Sequence, residues 1–181
     1  MLSNQQANDI LNQAELIISA EEVQAAVMSV ARQINAVLTD THPLLLSVMG
    51  GAVVFTGQLL PQLTFPLDFD YVHVSRYGRN QQGGALHWKV EPHENVTDRV
   101  VLVVDDILDE GETLAAIKQR VLDLGAAKFY SAVFADKQIA KSKPICADFV
   151  GVELPDRFVF GFGMDIYGAW RNLPAIYATR K

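Results

Sequence analysis

Cysteine is almost absent. Cys146 stands alone among 181 residues, so the chain has no internal disulfide and offers no thiolate cluster to a metal, which fits a reducing compartment. Positive charge is also scarce: 15 Lys and Arg face 21 Asp and Glu, for a formal charge of -6. A chain this acidic lacks the electrostatic footprint of a DNA- or RNA-binding protein, although a local basic pocket for a small phosphate stays open, and no nucleic-acid partner is expected. The first ten residues, MLSNQQANDI, have no basic n-region and no apolar core of signal-peptide length, so the expected location is cytoplasmic. Charge is missing altogether from Leu44 to Leu67, 24 positions that approach spanning length. Gly50, Gly51, Gln58, Pro61 and Gln62 interrupt that run, and no Lys or Arg flanks it closely enough to set an orientation. A buried strand, a glycine turn and an amphipathic helix explain the same letters, so no membrane partner is expected. His42, His73, His87 and His93 show no metal-ligand spacing, and there is no internal repeat or low-complexity tract.

What remains is an apolar chain of single-domain length. Half the residues are hydrophobic and a fifth are charged, enough to bury a sizeable core and to exclude disorder as the dominant state. Ser19 with Glu22 forms a capping box, and Val23, Ala26, Val27, Val30, Ile34, Val37 and Leu38 follow at helical spacing, predicting a helix from about Ala20 to Leu38. Leu44 to Val48 and Leu67 to Ser75 are expected strands. Val100 to Val104 is a continuous apolar run, β-branched except at Leu102, of the kind buried on both faces of a parallel sheet, and it is the expected sheet centre. Leu114, Ile117, Val121 and Leu124 then recur at helical spacing up to Gly125, and Phe129 to Ala135 resumes as strand. Strand, turn, helix and strand make a βαβ unit, so the expected class is α/β, a parallel β-sheet flanked by helices, with ligands beyond the carboxyl ends of the strands.

The chemistry is concentrated in Val100 to Leu114, VVLVVDDILDEGETL. An apolar strand delivers Asp105 and Asp106 to its end, and Asp109, Glu110, Gly111, Glu112 and Thr113 open into a helix. Backbone N–H groups in a glycine loop at a helix N-terminus make an anion pocket, to which Thr113 can add a hydroxyl. The acidic pair suits sugar hydroxyls, a hydrated Mg²⁺ or developing positive charge. The bland reading is a strand end followed by an ordinary helix cap. Asp105, Asp106 and Asp109 also spell the DDxxD of prenyl-diphosphate enzymes, but those aspartates lie on a helix; a receiver-type acidic pocket takes its acids from separate strands.

This segment resembles the signature of the type I phosphoribosyltransferases: a hydrophobic strand, two acidic residues, two apolar residues, an Asp, then a Gly/Thr phosphate loop. Lys137 after a strand, the stretch Asp148 to Asp165 (DFVGVELPDRFVFGFGMD), and Trp170-Arg171-Asn172 are similar to the hypoxanthine-guanine branch. The resemblance runs from about Leu44 to Arg171. It implies a parallel sheet with a small hood made by the chain's ends, all within one domain, and transfer of a ribose 5-phosphate unit from phosphoribosyl diphosphate to the 6-oxopurine bases hypoxanthine or guanine, with Mg²⁺ as cofactor; the alternatives are a xanthine-preferring enzyme of the same type and a non-catalytic nucleotide-sensing regulator on the same fold.

The same resemblance implies the site residues. Glu110, Gly111, Glu112 and Thr113 would hold the 5-phosphate, with the Glu112 side chain facing solvent, and Asp105 and Asp106 the ribose hydroxyls. Asp109 would manage a proton at the purine N7. Lys137 would donate to the exocyclic oxygen at position 6, Phe158 would stack on the base, and the Val159 backbone would read its edge. Asp165 would be a Mg²⁺ ligand and Arg171 a diphosphate contact. Met49, Gly50 and Gly51 match the diphosphate loop, where some relatives carry lysine at the Met49 position, leaving backbone recognition here. Ser75, Arg76 and Tyr77, with the glycines up to Gly84, match a flexible loop that closes over the reaction. A homodimer or homotetramer is expected, with the apolar Leu44 to Leu67 region available for an interface.

Overall fold

The structure, a computed structural model, describes residues 2–76 and 86–180. Tyr77 and the glycines after it, expected to close over the site, lie outside the described residues.

The chain begins with α1 (Asn4–Gln13), β1 (Glu15–Ile18) and α2 (Ala20–Leu38). Ser19 caps α2 as expected: the Glu22 N–H donates to Ser19 Oγ at 3.2 Å, and the Ser19 N–H donates to Glu22 Oε2 at 2.8 Å. Ser3 and Gln6 make the same box at the start of α1, a helix outside the sequence reading. Then follow β2 (Leu44–Met49), α3 (Val53–Leu59), β3 (Asp68–Arg76), β4 (Leu86–Val90), β5 (Val100–Leu108), α4 (Glu112–Asp123), β6 (Lys128–Gln138), β7 (Phe149–Pro155), β8 (Val159–Phe160) and β9 (Ile176–Ala178).

Six strands form the main sheet in the order β4-β3-β2-β5-β6-β7, parallel except for the edge strand β4. Alternation along each strand splits the core in two. Leu45, Leu102, Val104, Ala132 and Phe134 face α2 and α3, while Leu44, Leu46, Val101, Val103 and Val133 face the side covered by α4 through Leu114, Ile117 and Val121. β5 is central, as expected. It runs four residues past Val104, because Asp105, Ile107 and Leu108 stay in register with Val133, Ala135 and Asp136 of β6. The acidic pair therefore lies within the strand rather than after it.

The 24-residue uncharged run is consumed by this packing. Leu44 to Val48 is buried in the sheet and Phe55 and Leu59 in the core, leaving Val53 as its large exposed hydrophobic. Among the described residues no helix is long and apolar enough to cross a membrane. A second, antiparallel sheet, β1-β9-β8, joins the two ends of the chain, and the Trp170 indole N–H donates to the Ala7 carbonyl at 2.7 Å, pinning α1 to the C-terminal segment.

Connectivity positions the site. From β2 the chain crosses to β3 on one side; from β5 it crosses to β6 on the other, and β2 and β5 are neighbours. The loops after these two strands diverge and open a crevice at their carboxyl ends, the switch point where α/β sheets bind ligands.

Candidate active site

A cavity of about 810 Å³ occupies that crevice. Its walls bring together most of the residues singled out in the sequence: Met49, Gly50 and Gly51 after β2, Asp105 and Asp106 on β5, Asp109, Glu110, Gly111 and Thr113 in the following turn, Lys137 at the end of β6, and Arg171.

Glycine is a steric requirement at Gly51. A Cβ there would lie 2.0 Å from Asp106 Oδ2, and a Cβ on Gly163 would lie 2.0 Å from the Gly51 carbonyl oxygen. The loop after β2 is thus pressed between the acidic pair and the 161–164 segment. Phe162 anchors that segment, its ring 4.5 Å from Phe134 and 6.5 Å from Phe55. The Met49–Gly50 peptide is cis.

Gly111 is the N-cap of α4, with φ +83°, a backbone conformation that favours glycine. It has no side chain with which to cap the helix, so the first turn keeps its capacity for an anion. Thr113 lines the cavity, and the Glu112 side chain is exposed, as expected.

Asp105 is buried and Asp106 half-buried. Burial pushes the Asp105 carboxyl well above the usual range, and the neighbouring Asp106 charge pushes it further. Burial raises Asp106 as well, opposed by hydrogen bonds from Asp105 and the Ile107 N–H and by the positive charge of Arg171. Lys137 Nζ donates to Asp109 Oδ2 at 2.7 Å, so the lysine and the carboxylate assigned to the base form an ion pair across the ends of β6 and β5.

Other assigned residues stand back from the cavity wall. Asp165 accepts from Arg171 Nη2 at 2.5 Å and from the Gly168 N–H at 2.7 Å, while Arg171 Nη1 donates to the Gly163 carbonyl at 2.6 Å. Arg171 lines the cavity and Asp165 holds it there. Phe158 is 53% exposed, and Val159 is buried in β8 opposite Ala178. Ser75 and Arg76 end β3 opposite His87 and Leu86. The sequence reading missed His73, Val74, Ile139, Ala140, Lys141 and Asp156, all of which line the cavity. Asp156, two residues before Phe158, was the most accessible of these, because it directly follows a strand and stands beside an assigned aromatic.

An anion loop and a buried acid pair at the switch point of a parallel sheet define an α/β protein built to handle a phosphorylated ligand. The phosphoribosyl transferase domain family matches residues 17–167, and the chain belongs to that family; it is a phosphoribosyltransferase. It is 32% identical over 163 residues to the hypoxanthine-guanine phosphoribosyltransferase of Bacillus subtilis (strain 168), covering 90% of this chain and 91% of that protein. It is 29% identical over 162 residues to the hypoxanthine-guanine-xanthine phosphoribosyltransferase of Tritrichomonas foetus, covering 89% of this chain and 88% of that one. A crystal structure of a hypoxanthine-guanine phosphoribosyltransferase from Bacillus anthracis superposes with a TM-score of 0.86 at 28% identity, covering 92% of this chain and 98% of that one.

Proposed function

We propose that the chain works in purine salvage, transferring the 5-phosphoribosyl group from phosphoribosyl diphosphate to hypoxanthine or guanine, giving IMP or GMP and diphosphate. The observation that carries this reading is the Lys137–Asp109 pair standing beside the anion loop and the acid pair in one cavity. On a 6-oxopurine, N7 and the exocyclic oxygen are adjacent along one edge. One ammonium and one carboxylate side by side match that edge, the lysine donating to the oxygen and Asp109 taking the N7 proton as the glycosidic bond forms. Adenine presents an amino donor where the lysine needs an acceptor. Phe158, about half exposed, would stack on the bound base, and the Val159 backbone would read its edge.

The α4 N-terminus with Thr113 takes the 5-phosphate, and Asp105 and Asp106 take the ribose hydroxyls. Departure of diphosphate leaves an oxocarbenium-like ribose, which these carboxylates stabilise more than the ground state. Gly50 and Gly51 offer backbone to the diphosphate, and Arg171 a fork of donors. Ser75 and Arg76, at the end of β3, would act with Tyr77 in excluding water.

The donor set also fits Mg²⁺. The cavity wall carries Asp105, Asp106, Asp109, Glu110 and Asp156 against Lys137, Lys141 and Arg171, so carboxylates outnumber permanent cations where a polyanion must bind. The Asp105–Asp106 pair on the cavity wall would hold the ion, while Asp165, the ligand that the resemblance implies, stands behind Arg171 and off that wall. When bound to diphosphate it neutralises the leaving group, and few protein ligands are needed because Mg²⁺ shares substrate phosphates.

The test is diphosphate release by purified protein with phosphoribosyl diphosphate and Mg²⁺, with hypoxanthine, guanine, xanthine and adenine supplied separately. Release with hypoxanthine and guanine, and not with adenine, is expected. Turnover only with xanthine would displace the assignment of the base, and none with any base would displace the reaction.

A further inference from the structure

Lys143 lies in the connection between β6 and β7, outside every assigned role. Its side chain is only 13% exposed, unusual for a lysine, and its Nζ has three protein acceptors. It donates to the Leu108 carbonyl at 2.7 Å, to the Lys137 carbonyl at 2.6 Å, and to Asp136 Oδ1, which supplies the counter-charge. An ammonium has three protons, and here each has an acceptor inside the protein.

The position of those acceptors matters. The β5–β6 ladder ends at the pair Leu108↔Asp136, and Lys137 is then in register with Leu154 of β7 instead. Asp109 and Lys137 are the next residues along, so the ladder does not fix one against the other. Lys143 ties the carbonyl just before Asp109 to the carbonyl of Lys137 itself, extending the coupling of the two strands one rung past their last backbone pair. Its stem does a separate job. A Cβ on Gly111 would lie 3.4 Å from Lys143 Cβ, 3.3 Å from Pro144 Cδ and 3.4 Å from Ile145 Cγ2, so the 143–145 segment backs the anion loop.

We propose that Lys143 is a positioning residue for purine recognition: its ammonium holds the ends of β5 and β6 at the separation that lets Asp109 and Lys137 meet N7 and the exocyclic oxygen together. The inference rests on the assignment of those two residues to the base. It divides the side chain by substrate, the ammonium serving the purine and the stem backing the phosphate loop.

Lys143→Met keeps an unbranched stem and removes the donors. Steady-state kinetics should show KM for hypoxanthine rising about 10- to 100-fold, the usual consequence of a misplacement near 1 Å, while KM for phosphoribosyl diphosphate stays within about 2-fold of wild type. Lys143→Arg, which keeps a cation and donors, should recover most of the purine KM. If Lys143→Met does not fold, Asp136→Asn/Lys143→Met, which also removes the uncompensated carboxylate, is read the same way. Unchanged purine KM overturns the inference, as does an equal change in both KM values or a loss confined to kcat that follows a fall in Tm. Lys137→Ala, run alongside, separates the two ideas. If it leaves the preference for hypoxanthine over adenine intact, the purine-site reading itself fails; if it abolishes that preference while Lys143→Met changes neither KM, only the positioning role fails.

Discussion

Asp106 leaves no room for a side chain at Gly51, where a Cβ would lie 2.0 Å from the carboxylate oxygen. The loop after β2 and the acid pair of β5 are therefore packed directly against each other. Gly51→Ala should displace Asp106 and the loop together, lowering kcat/KM for phosphoribosyl diphosphate by about 100-fold. Gly50→Ala makes a control, because a Cβ there meets nothing within 4 Å. Equal kinetics for the two variants would show that the packing does not matter to the site.

The acid pair should make the ligand-free protein less stable as the pH rises. Asp105 and Asp106 both have folded-state pKa values raised above the ordinary carboxylate value, chiefly by burial, so the folded state binds their protons more tightly than the unfolded chain does. That contribution is fully present below the unfolded value, about 3.9, and is lost as the pH climbs through the raised folded values. Asp105→Asn removes part of this dependence. In EDTA, its stability relative to wild type should increase from about pH 4 upward until the pair is fully ionised, measured by urea unfolding at a series of pH values. Parallel stability curves for the two proteins would mean that the pair imposes no such cost.

The parts of this fold that repeat a local period were legible in the sequence. The box at Ser19 and Glu22, the helical spacing after it and the run Val100 to Val104 each state their structure within a few residues. β5 was cut short at Val104 because Asp105 and Asp106 look like a strand end, and only their pairing with β6 shows otherwise. β8 and β9, two and three residues long, exist through pairing with β1 from the far end of the chain, which no window contains. The anion loop was readable because its glycine, hydroxyl and acids are contiguous. His73 reaches the cavity from β3, Ile139 and Lys141 from the connection after β6 and Asp156 from the turn after β7, and only the topology brings them together.

Asp70 tests how the sheet edge holds the rest of the fold. Burial alone would raise its carboxyl, but the Glu94, Tyr71 and His93 N–H groups donate to it at 3.0, 2.8 and 2.6 Å and hold it below the usual range. Because its folded pKa is lowered, its contribution is present above about pH 4 and lost as the pH falls through the folded value. Asp70→Ala orphans three backbone donors between β3 and the connection to β5, and should cost about 2–3 kcal/mol at neutral pH. A urea midpoint unchanged from wild type would show that water replaces the carboxylate without loss.

Asp109 is the sharpest test of the chemistry, because its two surroundings predict different things. Its carboxylate is half-exposed and paired to Lys137, whereas the phosphate is expected on the N–H groups and hydroxyl that follow it. A residue that only shaped the anion loop would, when removed, weaken phosphoribosyl diphosphate binding. A residue that handles the N7 proton would leave that binding alone and lower turnover. Asp109→Ala should therefore reduce kcat with hypoxanthine by about 10²- to 10⁴-fold, the usual range for a lost general acid or base. The Kd for phosphoribosyl diphosphate with Mg²⁺, measured by calorimetry, should stay within about 3-fold of wild type, since none of the donors assigned to the phosphate is removed. Weakened binding with kcat preserved would assign Asp109 to the loop and leave the proton at N7 to another group.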